Sequence, residues 1–328
     1  MFAPEASVQT LLVSAVADRG SVGVAAETRG TPMIWVPGGN FLMGSNNFYR
    51  EERPVRRESV RGYWMDSYPV TNAQFRQFVT ATGYVTASER APDPSVYQDA
   101  HPSLLVSGSL VFRKPHGPVD VRDYRAWWEY VPGADWQHPE GPDSSIDGRD
   151  NHPVVHVTHE DACSYAAWAG KELPTESEWE FAARGGLDGA TYAWGEAFAP
   201  HGRAMANTWQ GRFPWENLKK DAYEGTSPVD AFPANGYGLY DMIGNVWEWT
   251  ASSFASPRAE NFKKSCCVPP GGDITRLVVK GGSHLCAPNY CRRYRPAARQ
   301  GEAVDTSACH IGFRCIVRPS EARLVPVP

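Results

Sequence analysis

Few stretches of this chain run far without a residue that bends it: 30 glycines and 27 prolines are spread through 328 positions. Glycine frees the backbone and proline removes a donor, so long regular helices and strands are ruled out over most of such a chain. Against that irregularity stand 12 tryptophans, large anchors that bury well. The combination predicts one compact α+β domain with low regular secondary structure: short strands, a few helices, and many loops packed on aromatic side chains. Loops of that kind need pinning, which bound metal ions can supply. A net charge of -5 gives no basic footprint for nucleic acid. No apolar run reaches the roughly 18 residues of a membrane span.

Seven cysteines raise the question of compartment. The start, Met1-Phe2-Ala3-Pro4-Glu5, lacks the basic region of a secretory leader. The expectation is therefore a cytoplasmic, bacterial protein, in which several cysteines serve metal or redox chemistry rather than a disulfide scaffold. Residues 1–30 are expected to be a mobile lead-in, 31–318 a single domain and 319–328 a tail.

Two short strands are read around the Pro37-Gly38-Gly39 turn, at Met33 to Val36 and Phe41 to Met43. Three short helices have their own start signals. One follows Thr71, with Gln74 three residues on and Gly83 as a stop; Phe75, Phe78 and Val79 share its apolar face. Another follows Thr158 and buries Ala162, Tyr165, Ala166 and Ala169 before Gly170. The third follows Thr175, with Glu178 in the capping-box position, Trp179 and Ala182 on one face, and Gly185 at its end. Residues 84–153, dense in Pro, Asp and His, read as a long ordered loop. Later strands are expected at Tyr237 to Tyr240, Val246 to Trp249, Leu277 to Val279 and Phe313 to Val317.

The most informative stretch runs from Lys280-Gly281-Gly282-Ser283-His284 through Cys286 to Tyr290-Cys291-Arg292-Arg293-Tyr294-Arg295. Two thiols five positions apart flank a Pro288-Asn289 turn, which can bring both sulfurs to one ion. Soft thiolates select Cu(I) or Zn. Arg292, Arg293 and Arg295 favour thiolate over thiol. From the residues alone, other readings stay open. They are a structural disulfide, two unrelated buried thiols, or a zinc site completed by His284, on one strand face with Cys286, and by His310.

Several motifs resemble the formylglycine-generating enzyme family, also called sulfatase-modifying factors, from about Met33 to Val317. They are Pro37-Gly38-Gly39-Asn40-Phe41-Leu42-Met43-Gly44, Tyr68-Pro69-Val70-Thr71-Asn72, His152-Pro153-Val154-Val155-His156-Val157, Trp168-Ala169-Gly170-Lys171-Glu172-Leu173-Pro174-Thr175-Glu176, Gly244-Asn245-Val246-Trp247-Glu248-Trp249 and Ile311-Gly312-Phe313-Arg314-Cys315. Most of these belong to a broad superfamily with a C-type-lectin-like scaffold and identify the fold alone. The discriminating part is Gly281-Gly282-Ser283, Cys286, Tyr290-Cys291-Arg292 and Arg295-Pro296-Ala297-Ala298-Arg299. It is similar to the copper-binding segment of the true oxidases.

The resemblance implies a copper-dependent oxidase. Its partner is an unfolded sulfatase polypeptide with a Cys-x-Pro-x-Arg motif, and its product is Cα-formylglycine made with O₂. Cys286 and Cys291 hold Cu(I), Ser283, Trp247 and Tyr290 line the pocket, and the chain acts as a monomer. Two structural calcium ions are implied as well. The first uses Asn207, Thr208, Asp221 and Tyr223; the second uses Asp241, Gly244, Val246 and Glu248. Read without the family, these are Asx turns and a solvent-facing glutamate. The family also implies a disulfide between Cys163 and Cys315; Cys266 and Cys267, beside Pro269-Pro270-Gly271-Gly272, read as loop residues and Cys309 as a free thiol near the site. His310 stands where animal members carry asparagine, so it is either a substrate contact or a hydrogen-bonded loop histidine. Two other functions compete: a histidine-ligated iron sulfoxide synthase, and a non-catalytic lectin-like binder.

Overall fold

The computed structural model describes residues 31–98, 101–254 and 275–319. The expected lead-in, the tail and the Cys266-Cys267 loop lie outside the described residues. Eleven short strands and three α-helices are found among them. In chain order they are β1 Met33–Val36, β2 Gly39–Met43, β3 Arg56–Val60, β4 Tyr63–Asp66, α1 Asn72–Thr82, β5 Gly108–Phe112, β6 Trp128–Pro132, α2 His159–Trp168, α3 Glu176–Arg184, β7 Trp247–Ser253, β8 Arg276–Lys280, β9 Arg299–Ala303, β10 Ile311–Gly312 and β11 Ile316–Val317.

The helices begin where the sequence says, because each opens on a reciprocal cap. The Thr71 hydroxyl accepts from the Gln74 N–H while the Gln74 side chain accepts from the Thr71 N–H, and Thr158/Asp161 and Thr175/Glu178 repeat the arrangement. Gly83 and Gly185 end α1 and α3 in the left-handed conformation. The expected apolar faces are the buried ones. Phe75 of α1 and Tyr165 of α2 stack at 6.0 Å, and Phe313 meets Tyr165 edge-on at 5.3 Å. Replacing Phe75 by Ala would cost about 3–5 kcal/mol.

Strand partners differ from the local reading. β1 and β2 flank a turn but do not pair with each other; β1 pairs with β4, and β2 with β3. The sheets are β1-β4-β11, β10-β7-β8-β9, and the pairs β2-β3 and β5-β6. The expected strand at Tyr237 to Tyr240 is a turn. The Asn235 side-chain oxygen accepts from the N–H groups of Tyr237 and Leu239, at 3.0 and 3.2 Å, and curls the chain before it can extend. Of the expected Phe313 to Val317 strand only Ile316–Val317 extends, as β11, and β10 just before it, Ile311–Gly312, joins a different sheet.

The expected Cys163–Cys315 disulfide is absent, and both are free thiols. Cys163 is exposed on α2, with its sulfur 3.6 Å from the His159 ring. Cys315 is buried, and its N–H donates to Asp66.

The element that positions the site is the β7–β8 pair. Glu248 on β7 lies opposite Lys280, the last residue of β8. The loop entering β7 and the loop leaving β8 therefore emerge side by side. Gly244 N–H donates to Gly281 O at 3.0 Å, and His284 N–H donates to Asn245 O at 2.9 Å. A third loop joins them: Asn245 N–H donates to Asn207 O, and Trp209 N–H donates to Cys286 O. Gly244 has φ +77, and a Cβ there would stand 2.3 Å from the Asn207 carbonyl, so this lacing requires glycine.

Candidate active site

Past Lys280 the chain bends at Gly281 and Gly282, both with positive φ; a Cβ at Gly282 would lie 2.9 Å from Arg293 O. Two tight turns come next instead of an extended strand, so His284 and Cys286 do not share a strand face as expected. Cys286 N–H donates to Ser283 O, and Cys291 N–H donates to Ala287 O, each at 2.9 Å. These turns bring the Cys286 and Cys291 sulfurs to 3.1 Å. Neither is in a disulfide and both are buried. A metal–sulfur bond of about 2.3 Å lets one ion reach both.

The surroundings favour negative charge on sulfur. The Ser283 N–H points at Cys286 Sγ from 3.4 Å. Arg293 Nη1 lies 3.9 Å from Cys291 Sγ. The hydrogen bond from Cys286 lowers the Cys291 thiol to about 6, against burial and with help from Arg293. The pair is thereby biased toward the thiolate form that binds soft metals.

Trp247 and the two cysteines lie in the same hydrophobic cluster, and Trp247 N–H donates to His310 O at 2.9 Å. Tyr290 is partly buried, stacked on Phe213 at 4.6 Å and edge-on to Trp127 at 5.5 Å. Asn289 locks that arrangement, because its side chain bonds both the N–H and the carbonyl of Phe213. Ser283 is fully buried, with its Oγ accepting from Leu285 N–H.

His310 packs on Trp128 at 4.8 Å, and its Nδ1 is buried without a hydrogen-bond partner. Burial, then repulsion from His284 and His156, holds it down to about 3, so it stays neutral. Cys309 accepts from Phe112 N–H, and burial pushes its thiol up to about 12. His284 is committed through Nδ1 to the Asn245 carbonyl. Among the described residues no group of three or more His, Cys, Asp and Glu is placed to hold a metal, so the zinc and histidine-iron alternatives have no ligand set there. A cavity of about 470 Å³ touches His284, Cys309 and Trp209, but neither cysteine of the pair lines it.

The oxygen-rich loops also assemble. Asp221 accepts from the N–H of Thr208 at 3.3 Å and of Tyr223 at 3.2 Å, and Asn207 donates to Gly225 O. In the neighbouring loop Asp241 accepts from the Asn245 side chain, while its Oδ1 is buried with no hydrogen-bond partner. Glu248 is buried, not solvent-facing. It accepts from Trp179 Nε1 at 2.7 Å and from two nitrogens of Arg314 at 2.8 Å. Burial, aided by the charge of Glu248, pushes Asp241 up to about 8.

Sequence reasoning missed Phe48, Tyr49, Glu51 and Glu52, which pack on the arginines behind the cysteine pair. They lie some 240 positions away, and no local motif signals them.

Residues 19–319 match the family described as the sulfatase-modifying factor enzyme 1-like domain. The chain belongs to the sulfatase-modifying factor family. It is 54% identical over 295 residues to a formylglycine-generating enzyme of Mycobacterium tuberculosis, covering 88% of this chain and 98% of that protein. It is also 41% identical over 288 residues to the inactive Cα-formylglycine-generating enzyme 2 of Mus musculus, covering 86% and 84%. Membership in the sulfatase-modifying factor family therefore does not decide activity, and the site must. The structure of PvdO from Pseudomonas aeruginosa matches with a TM-score of 0.55 at 23% identity, over 88% of this chain and 94% of that one. That likeness supports the α+β fold of the family. No helix among the described residues is long and apolar enough to cross a membrane.

Proposed function

We propose that this chain is a formylglycine-generating oxidase, acting on the cysteine of a Cys-x-Pro-x-Arg motif in an unfolded sulfatase polypeptide with O₂ as oxidant. The observation that carries it is the approach of the Cys286 and Cys291 sulfurs to 3.1 Å beside Arg293. A binding module has no need of a buried, negatively polarised sulfur pair. The donor set fits Cu(I), which prefers soft sulfur and can be held by few ligands. Cu(I) would supply the one-electron and O₂ chemistry that no side chain provides.

The chain's own residues do the rest. Cys286 and Cys291 would hold the ion, and the Ser283 N–H and Arg293 compensate the charge of the sulfurs. Tyr290, fixed by Phe213 and Trp127, and the buried Trp247 form the walls that orient the client cysteine and exclude water. We assign residues 31–318 to one catalytic domain and read the chain as monomeric.

Two calcium ions complete the reading, as structural groups. Calcium takes about six to eight oxygens, backbone carbonyls among them. Asp241 suits the second site, because its buried Oδ1 has no hydrogen-bond partner and burial, with the charge of Glu248, raises its carboxyl. Glu248 spends three acceptor positions on Trp179 and Arg314, and a carboxylate has about four. Gly244 and Val246 would add carbonyls. In the first site Asn207 and Asp221 would offer side-chain oxygens, and Thr208 and Tyr223 their carbonyls.

The test is direct. The Cu(I)-loaded protein, incubated with a Cys-x-Pro-x-Arg peptide and O₂, should yield a peptide that has lost sulfur and gained an aldehyde by mass spectrometry. Unmodified peptide in the presence of bound copper would overturn the proposal.

A further inference from the structure

A five-residue strap, Phe48 to Glu52, crosses behind the cysteine pair. It ends in a single 3-10 turn at Arg50–Glu52 and is fixed at its far end, where Glu52 O accepts from Ser45 N–H. Its hydrogen bonds and ring contacts reach Arg292, Arg293 and Arg295, just after Cys291. Tyr49 Oη accepts from the Arg292 N–H at 2.9 Å, so it grips the backbone one residue beyond the second sulfur. The Arg293 guanidinium lies 3.9 Å above the Tyr49 ring and bonds Glu51 at 2.5 Å. The Arg295 guanidinium lies 3.6 Å above Phe48 and is gripped by both oxygens of Glu52.

The two halves of the strap do different things. Arg295 and Glu52 are both fully buried, and their forked pair staples the loop to the fold. Arg293 is partly exposed, and its tip is the positive charge nearest Cys291. An arginine side chain free in solvent samples many rotamers, and its charge is screened by water and salt. Held between a ring and a carboxylate it keeps one position, and a Coulomb term that falls with distance stays at its short-range value.

We infer that Tyr49 and Glu51 are positioning residues that act through Arg292 and Arg293 to hold the Cys286–Cys291 pair, and the positive charge beside it, in the arrangement that binds Cu(I). This rests on the copper reading of the site. Two thiolates with one Cu(I) carry a net negative charge, and Arg293 offsets it. Glu51 fixes where that offset sits; Tyr49 fixes the backbone that carries it.

The measurement is Cu(I) affinity of the purified full chain, by competition with a chromophoric Cu(I) chelator, with thermal unfolding as a check on folding. Glu51→Gln should weaken Cu(I) binding about tenfold, the range of partners that orient a metal ligand. Arg293→Met should weaken it at least as much. The double variant should be no weaker than Arg293→Met alone, because Glu51 acts through Arg293. A general loss of packing would instead make the two losses add. Tyr49→Phe keeps the ring and loses the acceptor, and should cost about threefold, a single hydrogen bond's worth; it carries the test if Glu51→Gln does not fold. Unchanged affinity in both strap variants, or additive losses, overturns the inference. Cys291→Ser separates the two levels. If it loses copper while the strap variants do not, only the strap inference falls; if it binds copper as wild type does, the copper reading itself falls.

Discussion

The loop that leaves β8 and the loop that enters β7 hang from the same end of one strand pair, yet they solve opposite electrostatic problems. The first surrounds two sulfurs with positive charge, and Cys291 is held down to about 6. The second buries carboxylates, and Asp241 is pushed up to about 8. In the first loop Arg293 is at hand to balance the sulfur charge. In the second Arg314 is spent on Glu248, and Asp241 Oδ1 has no hydrogen-bond partner. On the proposed reading, the soft site has its balancing charge built in, and a copper ion there would be free to serve chemistry. The hard site has its charge balance incomplete, and a calcium ion there would serve the fold.

The sharpest way to break that contrast is to remove one member from each loop. Cys291→Ser should take peptide conversion to the assay floor, a loss of at least about a thousandfold, since both sulfurs are needed to hold the ion that activates O₂. Its metal-free melting temperature should stay within about 2 °C of the metal-free wild type, because the substitution is nearly isosteric. Asp241→Asn should do the reverse, with conversion kept within a few fold and calcium-dependent stability lost. If Cys291→Ser retained activity, or Asp241→Asn abolished it without affecting stability, the division of labour would be wrong. Rates come from peptide mass spectrometry and melting from calorimetry.

Calcium removal tests the second half alone. A ligand at a hundredfold excess over its Kd stabilises by about 2.7 kcal/mol. At about 2–4 °C per kcal/mol for a large domain, chelation should lower the melting temperature by about 5–10 °C. The three loops are laced by backbone hydrogen bonds, so chelation should also weaken Cu(I) binding, by less than loss of a sulfur does. A melting temperature indifferent to chelation would remove the hard-ion reading from both oxygen-rich loops.

Legibility in the sequence tracks the range of the interactions involved. The helices are readable, because Thr71/Gln74, Thr158/Asp161 and Thr175/Glu178 are three-residue devices whose physics is local. Strand pairing is less so. Whether β1 meets β2 or β4 depends on what covers its other face, and Asn235 overrides an extended aromatic stretch through side-chain bonds no alternation reveals. The cysteine pair is readable because its turn is local. Its electrostatic support is only half readable, since the arginines are neighbours in the chain while Tyr49 and Glu51 arrive from the other end. The disulfide expectation fails because Cys163 and Cys315 are both free thiols, one exposed on α2 and one buried between β10 and β11.

The smallest test asks whether a raised carboxyl is special to the calcium-type loop. Glu302 on β9, in the same sheet, is fully buried and pushed up to about 7 by that burial. Unlike Asp241 it is supplied with neutral donors, Gln300 Nε2 at 3.1 Å and Thr306 Oγ1 at 3.3 Å. An unfolded glutamate titrates near about 4.3. The folded protein therefore binds more protons in between, and the stabilisation is complete below about 4.3 and lost as pH rises through about 7. Glu302→Gln keeps the shape and removes the titration. With calcium in excess to hold Asp241 constant, the wild-type melting temperature should fall by about 2–3 °C more than that of the variant between about pH 6 and 7, about 1 kcal/mol for a domain of this size. Asp66 is raised to about 6 beside Lys171 and titrates alike in both proteins, so it cancels in the difference. Parallel curves would mean that neutral hydrogen bonds alone keep a buried carboxylate ionised in this sheet, as Asp241, with burial uncompensated at its Oδ1, is not.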